Sequence, residues 1–245
     1  MTQSQAIPWK RTIVEATAIV ASILFAFAIQ AWWDDHNDAT LEQRHLVSLL
    51  AEFEQNAEIL RDARAEYEKG YLSAAGVLEI TGKGASDFDE TRFSRLVAAL
   101  VSNKTFHLES GAYDSLLDSG ELSLISDVQL RNRLAAWPSY VAEWAEEEEA
   151  VFRFIQDTLV PFLSDSVRVR SIVNGFPEFS DGESPPQVSV IPVDKGSLVA
   201  LVDSIQFENL VFQRAQGTWY AMRDGETLRA QMSAIVELIK SNIDE

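Results

Sequence analysis

Glu42-Gln43-Arg44-His45 has the Glu-x-x-His spacing that sets a carboxylate and an imidazole on one face of a helix, the arrangement that di-iron bundles use twice. Such a centre needs a second Glu-x-x-His and two further glutamates. The other two histidines, His36 and His107, have no Glu three residues before them, so half of the ligand set is lacking. His36, His45 and His107 with Asp34, Asp35 and Asp38 make a looser set of zinc donors. His36 and His45 are nine residues apart, however, which is the wrong phase for one helix face. Glu146 to Glu149 reads as a solvated helix face, because calcium needs oxygen ligands from a turn and no stretch matches an EF-hand loop. Ser115 and Ser119 have no histidine at a telling spacing, and there is no Gly-x-Ser-x-Gly. Lys83 lies between two glycines, but Gly-Lys-Gly is neither a phosphate loop nor a dinucleotide fingerprint. Trp137, Tyr140, Trp144, Phe152 and Phe154 fit a core and interface stripe better than a ligand box. No residue is therefore assigned to catalysis, to a cofactor or to a metal.

The stretch that organises the chain is Ile13 to Trp33, with Glu15 as its one ionisable group. As a helix it is roughly 31 Å long, enough to cross the hydrocarbon core of a bilayer. Lys10 and Arg11 precede it and Asp34, Asp35 and Asp38 follow it, which predicts a cytoplasmic N-terminus and an outward-facing C-terminal domain. Trp9 on one side and Trp32 and Trp33 on the other suit the two interfacial belts. Two rival readings compete. Ala26-Phe27-Ala28 could serve as a signal-peptide cleavage site, but the apolar run continues past it. A buried core helix would not need the flanking charges and tryptophans. One face of the span, Glu15, Ala18, Ser22, Ala26 and Gln30, has the small-residue spacing that lets transmembrane helices approach and hydrogen-bond.

The expected layout is a cytoplasmic tail at 1–12, a transmembrane helix at 13–33 and an extracytoplasmic helical domain at 34–245. Its fold class is all-α: the anchor helix extends into an irregular antiparallel bundle. Apolar residues from Leu41 to Tyr71 recur at helical spacings with Glu42, Glu52, Glu58 and Glu66 between them, and no Gly or Pro occurs from 34 to 69. The first helix should therefore run to about residue 80, its weak point being Asp34 to Asp38. Gly82, Gly84 and Ser86 mark a turn, with Asp87 or Asp89 capping a second helix. A short helix around Tyr113 ends at Gly120, and Ser126 or Asp127 starts a long one in which Pro138 should make a kink and Pro161 a stop. Residues 164–196, rich in Gly and Pro, are expected to be irregular. Asp194 or Ser197 should cap a short helix, and a last helix should run from Ile205 toward Ile243.

The ending Trp32-Trp33-Asp34-Asp35, the stretch Leu46 to Asn56 (LVSLLAEFEQN) and Tyr113 to Ile125 (YDSLLDSGELSLI) together resemble a family of uncharacterised bacterial single-pass membrane proteins, a domain of unknown function. The likeness covers roughly residues 10 to 145. It implies an N-terminal anchor with a helical extracytoplasmic domain, and no activity. The net charge is −18; without Lys10, Arg11 and Glu15 the chain keeps 18 basic and 37 acidic residues, a net of −19 outside the membrane. Such a surface repels nucleic acid and anionic headgroups. Zero cysteines suits an oxidising compartment such as the periplasm.

The expected role is a non-catalytic interaction module of the bacterial inner membrane, an accessory or scaffold subunit. Its partners would be the lipid bilayer and either another membrane protein or a second copy of itself. Two alternatives stand beside it. One is an extracytoplasmic ligand-binding sensor acting through a partner, with a pocket lined by Trp137, Trp144 or Trp219; the other is a metal-dependent periplasmic enzyme using His45.

Overall fold

The computed structural model describes residues 9–81, 88–102, 104–172 and 194–243. The turn at Gly82 to Asp87, most of the segment 164–196 and the first eight residues of the tail lie outside the described residues, as do the side chains of Lys10 and Arg11.

Helix α1 spans Trp9–Leu78, 70 residues without a break, which makes a rod of roughly 105 Å. It does not open at Asp34 to Asp38. There the Gln30 amide donates to Asp34 Oδ1 at 2.8 Å, His36 stacks on Trp32 with ring centroids 5.8 Å apart, and the Thr40 hydroxyl donates to the His36 carbonyl at 2.9 Å. These polar groups bond along the helix instead of capping a turn, so the propensity of Asp and Asn for helix ends is overridden.

Around the second half of α1 pack α2 (Glu90–Val101), α3 (Gly111–Asp118), α4 (Val128–Phe154), α5 (Val160–Ser166), α6 (Val169–Ile172), α7 (Lys195–Val202) and α8 (Ile205–Asn242). No strand occurs among the described residues, and the fold is all-α with a long N-terminal helix. Caps set the starts. Asp89 accepts from the Thr91 and Arg92 N–H groups, Asp127 from Gln129 and Leu130, Asp194 from Ser197, and the Ser204 hydroxyl from Phe207. The Asp127 and Asp194 carboxyls are held below the ordinary carboxylate range, chiefly by the Leu130 N–H in the first case and the Ser197 hydroxyl in the second. Gly120, at φ 74°, ends the turn after α3, where a side chain would be strained.

The frame is α1, α4 and α8. The Gln43 amide donates to the carbonyl of Asn242, Arg64 pairs with Glu226, and Arg214 lies against Gly70, so α8 runs antiparallel to α1. Phe53 meets Trp137 and Tyr67 meets Glu148, so α4 runs parallel to α1. Residues such as Leu46, Phe53, Leu134 and Met232 fill one apolar cluster nearer the N-terminal half of α1. Phe93, Leu159, Leu198 and Phe207 fill a second at the far end. Gly217 and Gly225 do not interrupt α8, because tertiary burial outweighs their helix penalty of about 1 kcal/mol each.

Both prolines of the long central helix behave in ways the sequence did not disclose. Pro138 lacks the N–H that would bond the Leu134 carbonyl, and the buried Tyr113 hydroxyl donates to that oxygen at 2.8 Å instead. Pro161 does not stop the helix. A π-helical turn, Ile155–Leu159, precedes it, and the chain stays helical through α5 to Ser166. One extra residue per turn shifts the carbonyls that the proline ring would otherwise strike.

Candidate functional site

Polar side chains on the inward face of α1 hold the backbone of the segment 104–126. Asn56, 1% exposed, donates to the Glu109 carbonyl and accepts from the Glu109 N–H, both at 2.7 Å. Glu52 accepts the N–H groups of Ala112 at 2.5 Å and Tyr113 at 3.2 Å, so a side chain of α1 satisfies the first turn of α3. Burial raises the Glu52 pKa, and these two N–H groups oppose the rise. Glu42 accepts from the Ser126 N–H at 2.7 Å and its hydroxyl at 2.8 Å, and His45 Nε2 lies 2.8 Å from Glu121 Oε2. The Glu-x-x-His pair is thus joined to the 121–126 connector. His36 stacks on Trp32 and His107 lies elsewhere, on the wall of a groove, so the three histidines are not brought together. Among the described residues no group of three or more His, Asp or Glu side chains is placed to hold a metal ion.

A buried polar layer lies where the two apolar clusters meet. Glu148 Oε1 accepts the Tyr67 hydroxyl at 2.8 Å and the Phe106 N–H at 3.0 Å. Glu148 is 8% exposed, so the reading of Glu146 to Glu149 as a solvated face fails at this residue. It follows Trp144 by four residues and precedes Val151 by three, on the face of α4 turned to the core. Burial raises its pKa, with the Tyr67 and Phe106 hydrogen bonds and the nearby His107 acting against the rise. Burial also pushes up the Tyr67 phenol, and the adjoining Glu148 charge adds to that. Across the layer, Arg214 is 3% exposed; its Nε donates to the Leu100 carbonyl at 3.1 Å and its Nη1 to the Thr218 hydroxyl. Burial pulls its pKa down to about 10, against the attraction of Tyr67 and Glu66. Gly70 lets the guanidinium approach α1, since a Cβ there would stand 3.1 Å from Nη2.

Beside this layer the stretch 105–110 and α4 enclose a groove of about 400 Å³, walled by Trp137, Trp144 and Phe152. Trp144 is buried and its Nε1 has no hydrogen-bond partner; a Cβ at Gly225 would come within 3.3 Å of it. Trp219 is elsewhere. It lies half exposed at the far end with Tyr71 and Phe212, and Arg223 stacks over it and Tyr220 at 5.7 and 5.1 Å.

At the opposite end the whole of 13–33 is exposed, and the first buried residue of α1 is Leu46. The stretch is long and apolar enough to cross a membrane, and none of the described residues covers it. This overturns the reading of a buried core helix. Glu15, Ala18, Ser22, Ala26 and Gln30 are exposed, as are Trp9, Trp32 and Trp33. The polar members of the stripe already bond within α1: the Ser22 hydroxyl donates to the Ala18 carbonyl at 2.7 Å, and Gln30 donates to Asp34. Ser22 therefore presents a small, satisfied surface suited to close helix packing.

Glu52, Asn56 and Arg214 were not singled out by sequence, and Glu148 was read only as part of a solvated run. Glu52 and Asn56 carried a signal, since they share the helical phase of Leu49, Phe53 and Leu60, the buried stripe. Arg214 carried none, being one more arginine in a long amphipathic helix. No protein-family model, curated protein or solved structure matches the chain.

Proposed function

We propose that this protein is a non-catalytic, membrane-anchored interaction module, an accessory or scaffold subunit of a membrane-protein assembly. In this reading its N-terminus lies in the cytoplasm and its acidic bundle lies outside, in the periplasm of a bacterial inner membrane, as the resemblance to single-pass membrane proteins implies. The observation that carries the proposal is an uncovered apolar span continuous with the first core helix of the bundle. An exposed run of 21 residues, all apolar but Glu15, Thr17, Ser22 and Gln30, is unstable in water and settles in lipid. A rod that crosses the bilayer and enters the core fixes the height and tilt of the bundle, which suits a spacer or docking subunit. The exposed face of Tyr71, Phe212 and Trp219 at the far end adds a surface for a protein partner.

The test is to solubilise the C-terminally tagged protein in mild detergent and measure the stoichiometry of what co-purifies. A partner or second copy in fixed ratio is expected, with recovery falling at least ten-fold when Ala18, Ser22 and Ala26 are replaced by leucine. Bulky side chains hold the helices apart, while the bundle keeps its melting temperature because the stripe touches nothing in it. A lone monomer, or equal recovery by the leucine variant, would count against the proposal.

A second reading, a ligand-binding sensor acting through a partner, is favoured by one observation: Trp137 and Trp144 do line a groove between chain segments.

A further inference from the structure

The groove between residues 105–110 and α4 combines aromatic walls with carboxylates. Trp137, Trp144 and Phe152 form its apolar side, and Glu109, Glu148 and Glu149 its acidic side. His107 is the basic group on the lining; Arg153 pairs with Glu149 at 3.3 Å, and Lys104 stands nearby with its ammonium 5.4 Å from the centroid of Phe106. Glu148 is the distinctive member. Both of its hydrogen bonds reach Oε1, so among the described residues Oε2 has no hydrogen-bond partner and is the atom that meets solvent on an otherwise buried side chain. Tyr67 and Phe106 fix the carboxylate in one orientation without neutralising it. A carboxylate held this way beside the exposed ring of Phe152 attracts a cation by ion pairing, and the ring quadrupole adds to it. A neutral or anionic ligand gains neither.

From this geometry we propose that the groove binds an organic ammonium group, with the nitrogen on Glu148 Oε2 and its carbon chain against Phe152 and Val141. The volume, about 400 Å³, suits a small amine or a single lysine side chain. The inference goes beyond the anchoring role and does not rest on it, so either can fail alone.

The test uses the full chain in detergent micelles and two probes, 1,4-diaminobutane and a blocked peptide with one lysine, followed by tryptophan fluorescence. Saturable binding of at least one probe is expected, while 1,4-butanediol, of the same length but uncharged, should not bind. Binding by the diamine alone marks a free amine as the ligand, and binding by the peptide marks the lysine of a protein partner. Glu148→Gln keeps an oxygen for Tyr67 and Phe106 and removes a buried charge. It should fold with an unchanged or higher melting temperature, yet bind at least ten-fold more weakly. Glu146→Gln, on the exposed face of α4, should bind as the unaltered protein does. No saturable binding by either probe, or equal weakening by Glu146→Gln and Glu148→Gln, would overturn the proposal, the second result meaning only diffuse attraction to an acidic surface.

Discussion

Asn56→Leu should lower the melting temperature of the bundle by roughly 5 to 15 °C. The side chain is 1% exposed and holds both backbone groups of Glu109, one as donor and one as acceptor. Leucine fills a similar volume and offers neither bond. Each buried backbone group left without a partner costs about 1–3 kcal/mol, and each kcal/mol moves the midpoint by about 2–4 °C in a domain of this size. Asn56→Asp sharpens the test, because it keeps an acceptor for the Glu109 N–H but turns a second oxygen on the carbonyl. It should be strongly destabilised at neutral pH and partly rescued in acid, where the protonated oxygen donates again. Thermal melts followed by circular dichroism decide it. A shift under about 2 °C for the leucine variant would mean that segment 104–110 does not depend on α1.

Removing residues 1–38 should produce the largest change of all in where the protein is found. The truncated chain is expected in the soluble fraction, against a membrane fraction for the full chain, with its melting temperature within about 2 °C of that of the full-length bundle. No described residue from 13 to 40 is buried in the bundle, so nothing in either core is lost with them. Ultracentrifugation and a melt measure both halves of the prediction. A truncated chain that aggregates or melts much earlier would show that the anchor end also supports the fold.

How much of this was legible in the sequence follows from which forces act locally. The helix long and apolar enough to cross a membrane, the caps to within two candidate residues each (Asp87 or Asp89, Ser126 or Asp127, Asp194 or Ser197), and the extent of α8 were readable, because hydropathy, side-chain capping and helical period are properties of neighbouring residues. Continuity through Asp34 to Asp38 was only half legible; cap-forming residues pulled one way and the lack of Gly or Pro the other, and bonds to the preceding turn settled it. Pro161 was misread because a π-helical turn is a property of packing around Ile155 and Leu159 and leaves no local mark. The same holds for the polar residues inside. Glu148 looked like its exposed neighbours, and what buries it is Tyr67, 81 positions away, with Phe106. The two packing motifs of the likeness, LVSLLAEFEQN and YDSLLDSGELSLI, turn out to be partners. Glu52 of the first holds Ala112 and Tyr113, and Tyr113 in turn serves the carbonyl that Pro138 leaves open.

Both the anchoring role and the fixed placement of the bundle depend on one uninterrupted helix from the apolar span into the core. The most direct measurement is a spin-label distance across Asp34 to Asp38, from Phe27→Cys to Gln55→Cys in a lipid nanodisc. The chain has no cysteine of its own, and both positions are exposed, so labelling is specific and disturbs no packing. A continuous α-helix predicts a single narrow distribution near ~42 Å between the two backbone positions. A broad distribution, or one centred well below that distance, would mean a hinge at the membrane surface and would contradict a rigidly mounted bundle.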